Sequence, residues 1–175
     1  MHRIGDMNVN VGPGWTTVPE SSSTLSSSSR TWTYDGVAHD RLILIPGIKN
    51  TDAIITGRDS QQALPVLRPD TQQDELAELA QFVIRTVYGG NAAVSAETPR
   101  VQGFGGHSGI VFDFHSTDTQ SNDYRGIVGA FTYETRLYVI LFIATSEQSL
   151  VNHREKVETI LQGVTTYMRA MGTPG

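Results

Sequence analysis

The chain has 175 residues, 38% of them hydrophobic and 18% charged, enough for one domain that buries roughly two thirds of its unfolded surface without staples. Thirteen basic against 18 acidic residues give a formal net charge of -5, and no Lys/Arg cluster is dense enough to track a phosphate backbone, so nucleic acid is excluded as a partner class. The absence of cysteine removes disulfides, thiolate metal sites and cysteine nucleophiles together.

Residues 1–6 contain no apolar export core, and alternation begins at once with Met7, Val9 and Val11 between Asn8 and Asn10, the pattern of a half-buried strand. Gly12-Pro13-Gly14-Trp15 then supplies a turn and a large anchor. The start reads either as cytosolic or as a mature form from which an export signal and lipid-bearing cysteine have been removed. Ser21 to Ser29, with Leu25 its one large apolar residue, reads as an exposed loop between strands. Thr31 to Tyr34 is β-prone; Asp35-Gly36 reads as a turn, and Arg41 to Ile45 as a short apolar strand closed by Pro46-Gly47. Ala53 to Ile55 is a short third apolar element, and Asp59 to Arg68 reads as a loop with a helical turn.

From Thr71 the period changes. Leu76, Leu79, Ala80, Val83 and Val87 fall on one helical face and predict a helix near Gln72 to Tyr88, capped by Asp70 or Thr71 and ended by Gly89-Gly90. Asn91 to Gln102 reads as a polar link. Ile110, Phe112 and Phe114 then share one face of a strand, with Val111, Asp113 and His115 on the other. Ser116 to Asp123 is a polar loop before a strand from Tyr124 to Glu134, and Glu134-Thr135-Arg136 makes a hairpin into Leu137 to Ala144. That last run is apolar on both faces, which predicts a central, doubly covered strand; at this length it falls far short of the ~20 residues needed to span a bilayer. A closing helix is expected over Glu147 to Met171, with Leu150, Val157, Ile160, Leu161, Val164 and Met168 inward.

Hairpins flanked by two long helices predict an α+β fold in one domain over residues 1–175: an antiparallel β-sheet with helices packed on both faces, an α-β-α sandwich. The early strand followed by Pro13-Gly14-Trp15, the mid-chain helix, the Gly106 to Phe114 strand, the hairpin into Tyr138-Val139-Ile140 and the closing Ile160-Leu161-Gln162-Gly163-Val164 resemble the PsbP-like superfamily. That superfamily takes in the photosystem extrinsic subunit, Mog-type Ran-binding proteins and bacterial envelope lipoproteins. The resemblance implies the same sandwich and proteins that bind or assist partners; no metal-binding or partner-binding residue of the family carries over to a specific position.

Gly106-His107-Ser108-Gly109, with Asp123 and His153 following, mimics the order of a hydrolase triad. Its register fails, because the nucleophile elbow needs Gly two residues after the Ser, where Ile110 stands, and a strand-to-helix turn. Gly103, Gly105 and Gly109 lack nucleotide-loop spacing and a following helix, and read as positions of positive φ or close backbone approach. His107, Asp113 and His115 are the metal candidates, one carboxylate and two imidazoles without a fourth ligand; the structural reading, polar groups satisfied at a strand rim, is preferred. Asp74, Glu75, Glu78, Glu155 and Glu158 read as solvated helix charges. Trp15, Trp32 and Tyr34 could line a ligand groove, against the alternative of core aromatics near strand ends.

These observations favour a non-enzymatic bacterial cell-envelope domain of lipoprotein type, without cofactor, binding a protein or small-molecule partner; it is periplasmic or attached to the outer envelope if an anchor was removed and cytoplasmic otherwise. The alternative is a cytosolic adaptor or chaperone, such as one serving a secretion system. A third reading is a hydrolase using Ser108.

Overall fold

The computed structural model describes residues 2–4, 7–17, 30–34, 37–49, 73–87, 93–104, 107–117, 120–133 and 136–166. The Ser-rich 21–29 segment, the 35–36 turn, residues 53–55 and 59–68, the first helix's caps and Met168 lie outside them. Eight strands form one antiparallel sheet: β3 (Trp15–Thr17), β4 (Arg30–Tyr34), β5 (Val37–Lys49), β6 (Ala93–Ala96), β7 (Arg100–Phe104), β8 (His107–Thr117), β9 (Asp123–Tyr133) and β10 (Arg136–Ala144). Their spatial order is β3-β4-β5-β10-β9-β8, with β6 and β7 both on the outer side of β8. β1 (His2–Ile4), β2 (Met7–Val9) and β11 (Thr165–Thr166) make a second, small sheet.

The period-2 pattern of the central strands divides the core in two. Ile43, Ile45, Phe112, Phe114, Val128, Leu141 and Ile143 face α1 (Gln73–Val87), which buries Leu76, Leu79, Ala80, Val83 and Ile84 against them. Leu42, Leu44, Val111, Phe131, Tyr138, Ile140 and Phe142 face α2 (Glu147–Gln162), which contributes Leu150, Val157, Ile160 and Leu161. β10 is buried along eight of its nine residues, between β5 and β9. The expected α-β-α sandwich with a doubly covered central strand is therefore the observed one. Among the described residues no helix is long and apolar enough to cross a membrane.

Four expectations need correction. The polar link 91–102 contains β6 and most of β7, short edge strands whose exposed outer residues hide the alternation from a hydropathy reading. The apolar run from Arg41 is part of a 13-residue strand that Pro46-Gly47 does not close. Two steps along β10, from Leu137 to Val139, are matched by three along β5, from Ile48 to Ile45, so positions 46–47 sit at a β-bulge, where proline is tolerated. The loop after β8 is shorter than 116–123, because Ser116 pairs with Tyr124 and Thr117 with Asp123.

The closing helix ends at Gln162 rather than Met171. Gly163 caps it, and the β-branched Val164-Thr165-Thr166 run turns extended, with Thr165 opposite Asn8 and Thr166 opposite Met7. β-branched side chains lose more χ1 freedom in a helix than in a strand, where they pack well; burial of Val164 in the same core cluster as Met7 and Val9 favours the extended form.

Candidate functional site

A buried polar cluster lies where the first two turns of α2 meet β5 and the β3–β4 edge. A second bulge creates it. One step on β4, from Thr33 to Tyr34, is matched by four on β5, from Arg41 to Val37, so residues 38–40 are extra, and such a bulge re-aims side chains. Asp40 is thereby placed under α2, with its side chain only 8% exposed. Ser149 Oγ donates a short hydrogen bond to Asp40 Oδ2. Ser149 is held in turn through its backbone N–H, which donates to the N-cap oxygen of Ser146 at 3.1 Å. The carboxylate thus sits at the amino-terminal end of α2, where the helix dipole favours negative charge.

One turn further on, His153 Nδ1 lies 2.9 Å from the Ser149 carbonyl oxygen and 3.7 Å from Asp40 Oδ2. A carbonyl can only accept, so Nδ1 carries a proton and donates to it. Three aromatic rings surround the imidazole: Tyr34 with centroids 4.7 Å apart, Phe142 at 5.7 Å and Trp15 at 6.3 Å. Trp15 meets Tyr34 edge-on at 5.1 Å, and Lys156 Nζ stands 5.4 Å over the Tyr34 ring, a cation–π arrangement. Asp40 Oδ1 is buried without a hydrogen-bond partner among the described residues.

Of the suggested groove residues, Trp15 and Tyr34 are half-buried and pack against His153. Trp32 is 2% exposed and belongs to the core beneath α2. Gly12 and Gly14, both at positive φ, turn the chain into β3; a Cβ on Gly14 would come within 2.6 Å of the Tyr34 ring, so this glycine is what lets β3 close on β4.

The metal candidates share the α2 face of β8, as their spacing implies, and have separate surroundings. His107 is six residues, or about 20 Å along an extended strand, from Asp113 and cannot share an ion with it. It stacks on Phe131 at 5.6 Å and meets Tyr133 at 4.4 Å, and burial holds its imidazole below the usual pKa range. Asp113 accepts from both terminal guanidinium nitrogens of Arg154, Nη1 and Nη2, and Nη1 also lies 3.8 Å from Glu158. The hydrogen bond to Asp113 raises the Arg154 pKa above its usual value. His115 Nε2 lies 3.3 Å from Asp123 Oδ1, the same oxygen that accepts from Thr117 Oγ1. Among the described residues no three His, Asp or Glu side chains are grouped to hold a metal.

The triad mimic also comes apart. Ser108 alternates with His107 and so points to the opposite face of β8 from the one α2 covers; Asp123 serves Thr117 and His115, and His153 serves Ser149 and Asp40. Of the glycines around Ser108, Gly109 is a close approach, since a Cβ would meet the Phe104 ring at 2.8 Å, while a Cβ on Gly103 would meet nothing; neither has positive φ. Asp40 and Ser149 had no sequence signal, being 109 residues apart and joined only by the bulge and the helix crossing.

No family model matches the chain, and no curated protein matches it in sequence. Among solved structures, cyanobacterial PsbP (CyanoP) from Synechocystis is similar at TM-score 0.55 and 10% identity, over 94% of this chain and 95% of that one. The Saccharomyces cerevisiae Ran-binding protein Mog1p is similar at TM-score 0.57 and 10% identity, over 95% and 93%. LpqN, involved in cell envelope biogenesis of Mycobacterium tuberculosis, is matched at TM-score 0.49 and 11% identity, over 91% and 82%. The fold is the PsbP-like one, and identities this low carry fold alone.

Proposed function

We propose that this PsbP-like domain is a non-catalytic binding module for a protein partner in the bacterial cell envelope. The observation that carries the binding reading is the aromatic cluster at the β3–β4 edge, where half-buried Trp15 and Tyr34 flank His153 and Lys156. Amphipathic aromatics at a surface supply contact area at low entropic cost, which is why they concentrate at interfaces. The similar Mog1p is described as Ran-binding, which favours a protein as the kind of partner. The separation of Ser108, Asp123 and His153 supports binding over hydrolysis.

Two experiments test this. The native gene product, fractionated from its own cells, is expected with the envelope; recovery from the cytosol moves the reading to a cytosolic adaptor or chaperone. Capture from solubilised envelope with the wild-type protein is expected to retain a partner that Trp15→Ala loses while keeping its melting temperature. A fluorophosphonate probe that labels Ser108 would replace the whole reading with a hydrolase.

A further inference from the structure

Asp40 Oδ1 is the most demanding atom in the described core. A buried carboxylate oxygen without a donor costs free energy that native structures almost always recover from a partner. Its sister oxygen is already satisfied by Ser149, and the neighbouring imidazole, whose Nδ1 donates to the Ser149 carbonyl, offers Nε2 as a second acceptor in its neutral form. The site therefore presents a negative charge and a buried carboxylate oxygen with no donor among the described residues, while the Lys156 ammonium beside it stands over the Tyr34 ring.

Its walls narrow the class of donor. Aromatic faces carry negative potential and attract ammonium groups within about 6 Å. Tyr34 already holds one, the Lys156 ammonium at 5.4 Å, and Trp15 lies edge-on beside it. A divalent metal fits poorly, since a hard cation needs several oxygen ligands and the described residues offer no three-ligand group. A compact organic cation matches both features, a carboxylate behind and ring faces at the sides. The chain's net charge of -5 favours the approach of a basic partner. Trp15 is the wall with least to hold it: it stands on a three-residue edge strand after the two-glycine turn, and it covers both Phe142 and His153.

We propose that the Asp40–His153 cluster beside Trp15 and Tyr34 is a site for an alkylammonium group, in use the side-chain ammonium of a lysine on the protein partner. The inference rests on the reading that the domain binds a protein. The ammonium donates to Asp40 Oδ1 and His153 Nε2, and its methylenes lie against the rings once Trp15 swings aside.

The test is a titration of the whole chain followed by the two tryptophan indole N–H signals in ¹H–¹⁵N spectra, with Trp15→Phe assigning them. n-Butylammonium chloride is compared with n-butanol and with sodium chloride at equal ionic strength. The expected result is a saturable shift of the Trp15 signal by butylammonium, at least about tenfold weaker with butanol and at least about tenfold weaker in Asp40→Asn. Tyr34→Leu, which leaves the buried carboxylate intact, weakens it too and serves if Asp40→Asn does not fold. A doubly blocked Ala-Lys-Ala tripeptide is expected to bind better than its norleucine twin and better than butylammonium.

Equal response to butanol, or an undiminished response in the Asp40→Asn and Tyr34→Leu variants, overturns the site. Butylammonium binding without tripeptide binding overturns the partner lysine. A captured envelope partner in the absence of any ammonium response sinks this site while leaving the binding-module reading standing; an ammonium and tripeptide response with no partner captured does the reverse.

Discussion

His107 lies nearly parallel to Phe131, with ring planes 1° apart, and also meets Tyr133, so its charged form is disfavoured by burial and its pKa is lowered. A histidine whose folded-state pKa lies below its unfolded one binds fewer protons folded than unfolded, so stability is fully present above the unfolded pKa near 6.5 and is lost as pH falls through the folded value. Wild type is therefore expected to lose more stability than His107→Gln between pH 7 and pH 5, measured by denaturant midpoints; parallel profiles would show that this ring is not the source. The sharing of one strand face by Asp113 and His115 was legible from spacing alone. Their partners were not, because Arg154 stands 41 residues from Asp113 and meets it only when α2 is laid across the sheet.

Among the elements, β9 shows why a strand can need a missing side chain. A Cβ on Gly126 would run into the Phe142 carbonyl oxygen and come within 2.6 Å of the Phe114 ring. Neither the backbone of a central strand nor a core phenylalanine yields cheaply, so Gly126→Ala is expected to cost roughly 2–3 kcal/mol by chemical denaturation, with the same denaturant dependence. A neutral result would mean that β9 and β10 slide apart locally. Gly126 gives no sign of this in the sequence, whereas the flanking Ile127, Val128 and Phe131 announce the strand. The same contrast holds along β5: its apolar half from Arg41 was legible, and its extension through Pro46 depended on a bulge that the partner strand creates. α2 was legible at its start, where Ser146 caps it, and misjudged at its end, where helical periodicity continues through Val164 while the chain turns extended.

At the scale of the whole molecule, the amino-terminal strand and the end of α2 are fastened together. Met7 and Val9 are fully buried against the α2-side core with Val164, and Met7 is paired with Thr166. Met7→Ala is expected to cost about 2–5 kcal/mol and to lower the melting temperature of the entire domain in one transition, as followed by calorimetry. A separate low-temperature step confined to the small sheet would show that the clasp is not part of the cooperative unit. Hydrophobic periodicity alone determined the two helices, the central hairpin, the doubly covered β10 and hence the antiparallel sandwich, because period and run length are local properties that burial on one or both faces imposes directly. The tertiary structure alone decided where the edge strands β6 and β7 attach, where α2 stops, and that Asp40, Ser149 and His153 meet beneath Trp15 and Tyr34. Those features depend on bulges, strand registers and a helix crossing between residues more than 100 positions apart, and no local pattern encodes such a meeting.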